Sequence, residues 1–431
     1  IIFDSTAVYQ GVPCVGGGSQ VANLHVMNPD GTGVRRLCFD QDHDWYPSIM
    51  NDGRVLFTRW EYSDTAHYFT RIVMAMNPDG TNQRSYYGSN SYWPNSTFYT
   101  RTIPNHPSQF VGIVSGHHGV AREGELIIFD TEKGQHEADG VVQRIPGYGK
   151  KVEPIIKDRL VDGSHPRFLH PYPLSSKYFL TSCNLDGNWG IYLVDVFDNM
   201  LPICVEPGVS VLEPVPFRKT EMPPVIPERV DLSREDAVVY MSDIYTGDGL
   251  KRVPRGTVKK MRLFAFDYGY LRLANHTYIG KEGPWDVHRI LGTVDVEPDG
   301  SASFHVPANT PIALQPLDEE GKSIQLMRSW FVAMPGENLS CTGCHEDNRH
   351  APPTALRAAS RKRPQEIKPW HGSARGFSFR REVQPALDRY CVSCHNGSVD
   401  KHERKRVDLR DKGEAGFSPA YNVLQAHVRR P

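Results

Sequence analysis

The chain lacks any hydrophobic run approaching the roughly 18–20 residues that a membrane-spanning helix requires, so we expect no membrane span. It also lacks an excess of charge of either sign: 49 basic side chains stand against 50 acidic ones in 431 residues. This balance argues against a nucleic-acid partner or a polybasic membrane anchor. Hydrophobic residues reach only 39%, whereas 37 glycines, 33 prolines and 19 tyrosines predict a turn-rich, mainly β protein.

An initiator methionine and a signal peptide are also absent from the sequence. The first residues, Ile1-Ile2-Phe3-Asp4, read as the middle of a strand, and we expect a fragment of a longer precursor. Cysteine is scarce, with eight residues in all. Four of them, Cys14, Cys38, Cys183 and Cys204, are widely spaced, which leaves disulfides, a metal site and buried thiols as open alternatives.

The other four cysteines lie in two copies of one pattern, Cys341-Thr-Gly-Cys344-His345 and Cys391-Val-Ser-Cys394-His395. Cys-x-x-Cys-His is the attachment signature of c-type haem: two thiols add across the vinyl groups, and the adjacent imidazole lies over the iron. Zinc is the alternative, but ribbon spacing is about 15–20 residues, whereas Cys344 and Cys391 are 47 apart. We therefore predict two covalent haem c groups, with His345 and His395 as iron ligands. Covalent haem also implies export, for example to the periplasm.

The first 220 residues contain a loose repeat. Asn28-Pro-Asp-Gly-Thr32 recurs as Asn77-Pro-Asp-Gly-Thr81, a spacing of 49 residues, and each copy follows an apolar strand. Asp-Gly turns between short strands at this period are typical of four-stranded propeller blades. An irregular β-sandwich with two similar hairpins is the alternative. We predict incomplete, N-terminally truncated β-propeller blades over residues 1–225.

Two further domains are expected after a linker. Residues 214–227 contain five prolines, which central strands exclude. Residues 226–365 have β texture and end in the first haem motif, and they are predicted to form a β-rich haem-binding middle domain. Residues 366–431 are predicted to begin a small α-helical cytochrome c domain with the second haem, because Val383, Leu387 and Tyr390 fall on one helical face.

Several stretches resemble the alpha subunit of hydrazine synthase and its homologues over essentially the whole chain. The matching segments are Ser115–Gly119, Asp243–Leu250, Pro254–Lys260, Gly283–Asp286, Gly300–Ile312, Met327–Trp330, Met334–Glu337 and Leu339–Glu346. The resemblance implies a propeller, a middle domain whose haem joins nitric oxide and ammonia chemistry to make hydrazine, and a cytochrome domain whose haem takes in electrons. It also implies other subunits of a multi-haem complex, a redox partner cytochrome and, for a true hydrazine synthase, the anammoxosome lumen.

One position departs from the family. There the His of the first motif binds zinc, and a Tyr four residues later supplies the axial phenolate, but this chain has Arg349. Arg cannot ligate iron, because its guanidinium stays protonated. Either His345 is an ordinary axial ligand, or His350 substitutes, or the haem is bound differently. If the family's zinc persists, Cys14 with Cys183 or Cys38 would complete its site with His345.

Further candidates lie in the loops. His117 and His118 lie between Gly116 and Gly119 after an apolar strand and are predicted to transfer protons at the catalytic site, although a purely structural turn is the alternative. Arg349 is predicted to stabilise negative charge on a haem propionate or a bound anion. Asp42-His43-Asp44 is an acid–His–acid group for which a structural turn is favoured over a metal site. For the distal ligand of the second haem, His402 and His427 are candidates, and the ligand of the family lies further downstream.

The sequence thus predicts an exported dihaem c-type oxidoreductase subunit that acts on small nitrogen compounds. The alternative is a dihaem electron-transfer or dehydrogenase/peroxidase-like protein with a propeller docking domain and a different substrate. An open coordination position at the first haem would distinguish the enzymes from a pure electron carrier.

Overall fold

The computed structural model describes residues 1–62, 70–185, 187–272, 287–344, 355–370, 372–373, 375–376, 378–399, 401–402, 404–413 and 418–425. Strands dominate these residues and helices are few and short, so the prediction of a mainly β protein is confirmed. Among the described residues, no helix combines the length and the hydrophobicity needed to cross a bilayer.

The N-terminal part consists of antiparallel strands in three sheets. The strands are β1 (Ile2–Ser5), β2 (Asn23–Val26), β3 (Arg35–Arg36), β4 (Asp44–Ile49), β5 (Val55–Glu61), β6 (Thr70–Met76), β7 (Arg84–Tyr87), β8 (Ser96–Thr102), β9 (Gln109–Ser115), β10 (Glu125–Asp130), β11 (Val141–Ile145), β12 (Arg167–Pro173), β13 (Tyr178–Asn184), β14 (Trp189–Asp195) and β15 (Met200–Cys204). Strands β4–β7, β8–β11 and β12–β15 each form a four-stranded meander. The first two meanders join through the pairing of Arg71 with Ser96.

The repeated sequence motif forms the same turn twice. In each copy the Asn and Thr backbones pair, with the Asn28 amide 2.8 Å from the Thr32 oxygen and the Asn77 amide 2.9 Å from the Thr81 oxygen. Each Thr hydroxyl donates to the preceding Asp at 2.7 Å. Gly31 and Gly80 adopt positive φ, which glycine tolerates. The turn is therefore set by local sequence, as the repeat predicts.

Residues 210–231 form neither strand nor helix. Two three-stranded sheets follow, built from β16 (Asp236–Met241), β17 (Lys260–Asp267), β18 (Val287–Asp295), β19 (Ala302–Pro307), β20 (Ile312–Leu317) and β21 (Asn338–Cys341). Their orders are β19-β16-β21 and β18-β17-β20. Alternate residues of β16 and β17, such as Val239 and Leu263, are fully buried in one shared core. This core supports the first haem motif, which begins at the end of β21.

Short 3₁₀ helices lie at Pro13–Val15 and Ala359–Arg361, and the remaining helices of the described chain lie in its C-terminal part. A π-helical turn, Phe379–Val383, leads into α1 (Gln384–Tyr390), and α2 (Pro419–Gln425) follows later. Val383 and Leu387 are half-buried, but Tyr390 is 69% exposed. The apolar helical face predicted from Val383, Leu387 and Tyr390 is thus only partly buried. The π-turn changes the angular spacing of the residues before α1, which the sequence pattern alone did not indicate.

Candidate functional site

The first haem motif is held by backbone hydrogen bonds. Strand β21 runs parallel to β16, which places Cys341 beside Met241. The Ser242 amide then donates to the Cys341 oxygen at 2.9 Å, and the Cys344 amide donates to the Thr246 oxygen at 2.9 Å. A Cβ on Gly343 would lie 2.2 Å from the Thr246 oxygen, so the close approach of the two segments requires glycine.

Two arginines meet a buried carboxylate beside this motif. Asp243 is 4% exposed, and its Oδ2 accepts hydrogen bonds from Arg255 at 3.0 Å and Arg357 at 3.4 Å. The Asp243 amide also donates to the Thr342 oxygen at 3.0 Å. Sequence reasoning did not find this ion-pair group. The only indication in the sequence was that Asp243 is the first residue of Asp243–Leu250, one of the segments that resemble the family.

The second motif lies on the turn that ends α1. The Cys391 amide donates to the Leu387 oxygen, and the His395 amide donates to the Cys391 oxygen, both at 2.8 Å. Cys394 and His395 are exposed, while Cys391 is partly exposed. A turn that presents two thiols and an imidazole accessibly suits covalent haem.

All eight cysteines lie in the described residues, and none of them is joined to another by a disulfide. The four thiols of the two motifs are therefore not consumed by disulfides, which fits their use in haem attachment. His345, Arg349 and His350 lie outside the described residues, so the axial ligand of the first haem stays a sequence prediction. His427 lies outside them as well, whereas His402 is described and exposed.

The two loop histidines have different surroundings. His117 is 8% exposed, its amide donates to the Asp158 oxygen at 2.8 Å, and its oxygen accepts from Arg71 at 3.0 Å. His118 has a side chain that is 63% exposed, with Nδ1 3.0 Å from an Asp158 carboxylate oxygen. The rings lie 4.4 Å apart in an edge-to-face contact. Thus His117 belongs to the interior and His118 to the surface.

The ring of His117 joins a group of aromatic and polar side chains, which we call the aromatic cluster. Its members, besides His117, are Cys14, His43, Trp45, Trp60, Tyr62, Arg71 and Phe98. The Tyr62 hydroxyl lies 3.5 Å from His117 Nε2, at the outer limit of a hydrogen bond. The Arg71 guanidinium lies 4.3 Å from the Trp60 ring centre, a cation–π contact.

Burial governs ionisation in the aromatic cluster. It raises the pKa of the Cys14 thiol, an effect that a hydrogen bond with Tyr62 partly offsets. It lowers the pKa of Arg71 to about 10 and raises the pKa of the buried Asp42 carboxyl to about 8. His43 accepts from the Ala22 amide at Nδ1, 3.0 Å away, and burial lowers its pKa to about 4. Burial thus favours the neutral form of the His43 imidazole.

The three cysteines considered for the family's zinc lie in separate cores. Cys14 packs with the aromatic cluster, Cys38 with Leu24 and Phe57, and Cys183 with Phe168 and Phe179. These thiols thus belong to different hydrophobic clusters, and the zinc site of Cys14 with Cys183 or Cys38 stays a sequence prediction. The fourth partner, His345, lies outside them.

The N-terminal and middle parts touch at two places near these sites. The loop that carries Cys14 pairs with the segment after β17: the Gly11 amide donates to the Gly269 oxygen at 3.0 Å. The indole of Trp330 donates to the Asp40 carboxylate at 2.5 Å. The aromatic cluster therefore lies beside the middle part of the chain.

These features define a mainly β protein whose middle part carries one of two haem-type motifs. The family model of the hydrazine synthase alpha subunit middle domain matches residues 256–346. A curated relative, hydrazine synthase subunit alpha of Kuenenia stuttgartiensis, is 26% identical over 188 residues, covering 31% of this chain and 23% of the relative. The expected resemblance to the hydrazine synthase alpha subunit family is confirmed.

The fold agrees with that assignment. The solved hydrazine synthase of Kuenenia stuttgartiensis superposes with a TM-score of 0.66 at 17% identity, covering 94% of this chain and 65% of the other. At this identity the likeness concerns the fold. The chain spans less than two thirds of either relative's length.

Proposed function

We propose that this chain is part of an exported dihaem c-type oxidoreductase subunit that acts on small nitrogen compounds. The observation that carries the proposal is the position of the Cys341–Cys344 loop, at the end of the family-matched segment 256–346 and fixed by the Asp243–Thr246 backbone. The reaction of the named relatives, hydrazine synthesis, is the proposed chemistry. The proposed compartment is the periplasm or its equivalent.

The three meanders of the N-terminal part are proposed to be blades of an incomplete propeller, residues 1–225. Each is a four-stranded antiparallel meander in chain order, the usual form of a blade. Residues 226–365 are the proposed haem-binding middle domain, and residues 366–431 begin the proposed cytochrome c domain. Other subunits of a multi-haem complex and a redox partner cytochrome are the proposed partners.

Haem c bound at Cys341 and Cys344 would supply the redox chemistry and a coordination site for a small ligand. Arg255 and Arg357 lie beside the motif on Asp243 and would counter negative charge there. His117 is the proposed internal proton acceptor, because its ring lies next to the Tyr62 hydroxyl within the aromatic cluster. His118, paired with Asp158, is proposed to exchange protons with solvent.

The direct test is haem content followed by turnover. Full chain matured in a host with haem c assembly should give about two haems in a pyridine haemochrome assay, since each motif supplies two thiols. Cys391→Ser/Cys394→Ser should leave one haem. With the reduced partner cytochrome supplying three electrons per turnover and solvent supplying three protons, the assembled complex should form hydrazine and water from nitric oxide and ammonia. His117→Gln should lower kcat about 10²-fold or more if the group transfers a proton. Finding zinc instead of haem would refute covalent haem attachment. Unchanged turnover in H117Q would refute proton transfer by His117.

Arg349, in place of the family's Tyr, favours a second candidate: a dihaem electron carrier or a dehydrogenase/peroxidase-like protein with another substrate. Here His345 would be the proximal ligand of the first haem. A neutral imidazole stabilises ferric iron less than a phenolate, so the reduction potential would be higher. R349Y should then shift the ferric spectrum toward a high-spin phenolate type. If the spectrum of the first haem's axial ligand were unchanged in a His345→Ala variant, His345 would not ligate the iron. It would then be assigned as a zinc ligand instead.

A further inference from the structure

A thiol and two carboxylates converge outside both haem motifs, in the loop after β3 and at the first residue of β4. Cys38 Sγ and one carboxylate oxygen each of Asp40 and Asp44 all lie within 4.8 Å of one another. All three side chains are fully buried, at 0% exposure. The loop is anchored to β2, because the Leu37 and Cys38 amides both donate to the Leu24 oxygen.

Each carboxylate of this group has one oxygen occupied and one without a partner. Asp44 Oδ2 accepts from Asn23 at 2.7 Å, and Asp40 Oδ1 accepts from the Trp330 indole at 2.5 Å. Asp44 Oδ1 and Asp40 Oδ2 have no hydrogen-bond donor. Burying unpartnered carboxylate oxygens is costly unless a cation or a proton lies between them. The empty lone pairs thus point to a ligand in the space the three side chains share.

The neighbouring arginines, Arg59 and Arg36, do not fully neutralise the negative charge of this group. Arg59 places Nη2 2.5 Å and Nε 2.9 Å from Glu61, and only Nη1 approaches Asp40, at 3.5 Å. Arg36 donates to the Cys38 carbonyl oxygen and to Asn23 rather than to a carboxylate. Three carboxylates and a thiolate would carry four negative charges against two guanidinium groups. A divalent cation would make the group neutral.

We propose that Cys38, Asp40 and Asp44 bind a zinc ion that fixes the β3–β4 loop. Zinc is favoured because it accepts thiolate together with carboxylate, whereas calcium and magnesium prefer oxygen alone. Three ligands from the chain leave the fourth tetrahedral position to a water molecule. Asp40 also accepts the Trp330 indole, so the ion would hold the loop in the orientation that contacts the middle part of the chain.

The test measures zinc in the full-length holoprotein, after exposure to micromolar zinc and dialysis against a mild chelator. We expect one zinc per chain by plasma mass spectrometry. X-ray absorption should show one sulfur near ~2.3 Å and oxygens near ~2.0 Å. D44N, which keeps the shape of the side chain, and C38S should each lower zinc occupancy at least tenfold. Cys183→Ser, a matched loss of a buried thiol, should retain it.

A His345→Ala variant separates this ion from zinc of the family type. Zinc that persists in H345A but is lost in D44N belongs to the β3–β4 loop. Wild-type protein that retains no zinc would overturn the proposal and indicate that a shared proton joins Asp40 to Asp44. Unchanged zinc in both C38S and D44N would overturn it equally. Because the count of iron is measured in the same samples, failure of the haem assignment is detected separately.

Discussion

At the scale of single residues, Gly343 in the first haem motif has no room for a side chain. A Cβ there would lie 2.2 Å from the Thr246 backbone oxygen and 2.8 Å from that of Asp243. We expect Gly343→Ala to displace the Cys341–Cys344 loop at a cost of about 1–3 kcal/mol. Pyridine haemochrome should then report loss of the first haem with the second retained. Gly163→Ala, which has nothing within 4 Å of its Cβ, is the control and should retain both.

Cys183 should show how burial suppresses thiol reactivity. Burial raises its pKa to about 12, above the usual value of about 8.5. Because the thiolate is the nucleophile, native Cys183 should resist alkylation at pH 8, and its labelling rate should rise as pH increases toward 12. Cys204, partly exposed at the end of β15, is the internal comparison. A short iodoacetamide pulse with peptide mass spectrometry measures the labelling of Cys183 and Cys204. Equal labelling of the two at pH 8 would contradict the claim that burial suppresses the reactivity of Cys183.

At the scale of elements, the repeated turn allows a matched comparison. Asp30 and Asp79 accept the same hydrogen bonds from Thr32 and Thr81, but Asp79 is 6% exposed and also accepts from the Arg229 amide at 2.6 Å. We expect Asp79→Ala to lower the free energy of unfolding by about 2–3 kcal/mol. Asp30→Ala should lower it by less, because Asp30 is exposed to solvent. Urea denaturation measures both. Equal losses would mean that the hydrogen bond from the Arg229 amide to Asp79 does not stabilise the buried turn.

This comparison shows what local sequence predicts and what it does not. The Asn77–Thr81 turn follows from residues within five positions, and so do the two haem motifs. The Trp330–Asp40 contact joins residues 290 positions apart, and the Arg357–Asp243 pair spans 114. No periodicity or spacing encodes such partners, because they depend on how separate sheets pack. The Cys38–Asp44 group and the surroundings of Asp243 therefore required the structure.

At the scale of the whole molecule, the segment before the second haem motif has contacts with the middle part of the chain. The Thr293 amide of β18 and the Lys368 oxygen are 2.9 Å apart, and the Gln365 amide donates to the Ser303 oxygen of β19 at 2.8 Å. A Cβ on Gly292 would lie 2.2 Å from the Lys368 oxygen. Residues 365–368 thus pair with strands of the middle part. A truncation at residue 366 would cut through this pairing, whereas one after Trp370 would preserve it.

We therefore expect a chain ending at Trp370 to keep the first haem and lose the second. The Cys341–Cys344 loop contacts Ser242, Asp243 and Thr246, all of which remain. If the second haem relays electrons, reduction of the first haem by a donor protein should slow in the truncated chain, while reduction by dithionite should not. C391S/C394S, which removes the second haem without shortening the chain, should slow the reduction of the first haem by the donor protein in the same way. Loss of the first haem on truncation would show that the C-terminal segment is needed to fold the middle part, and rapid reduction in both variants would refute the relay.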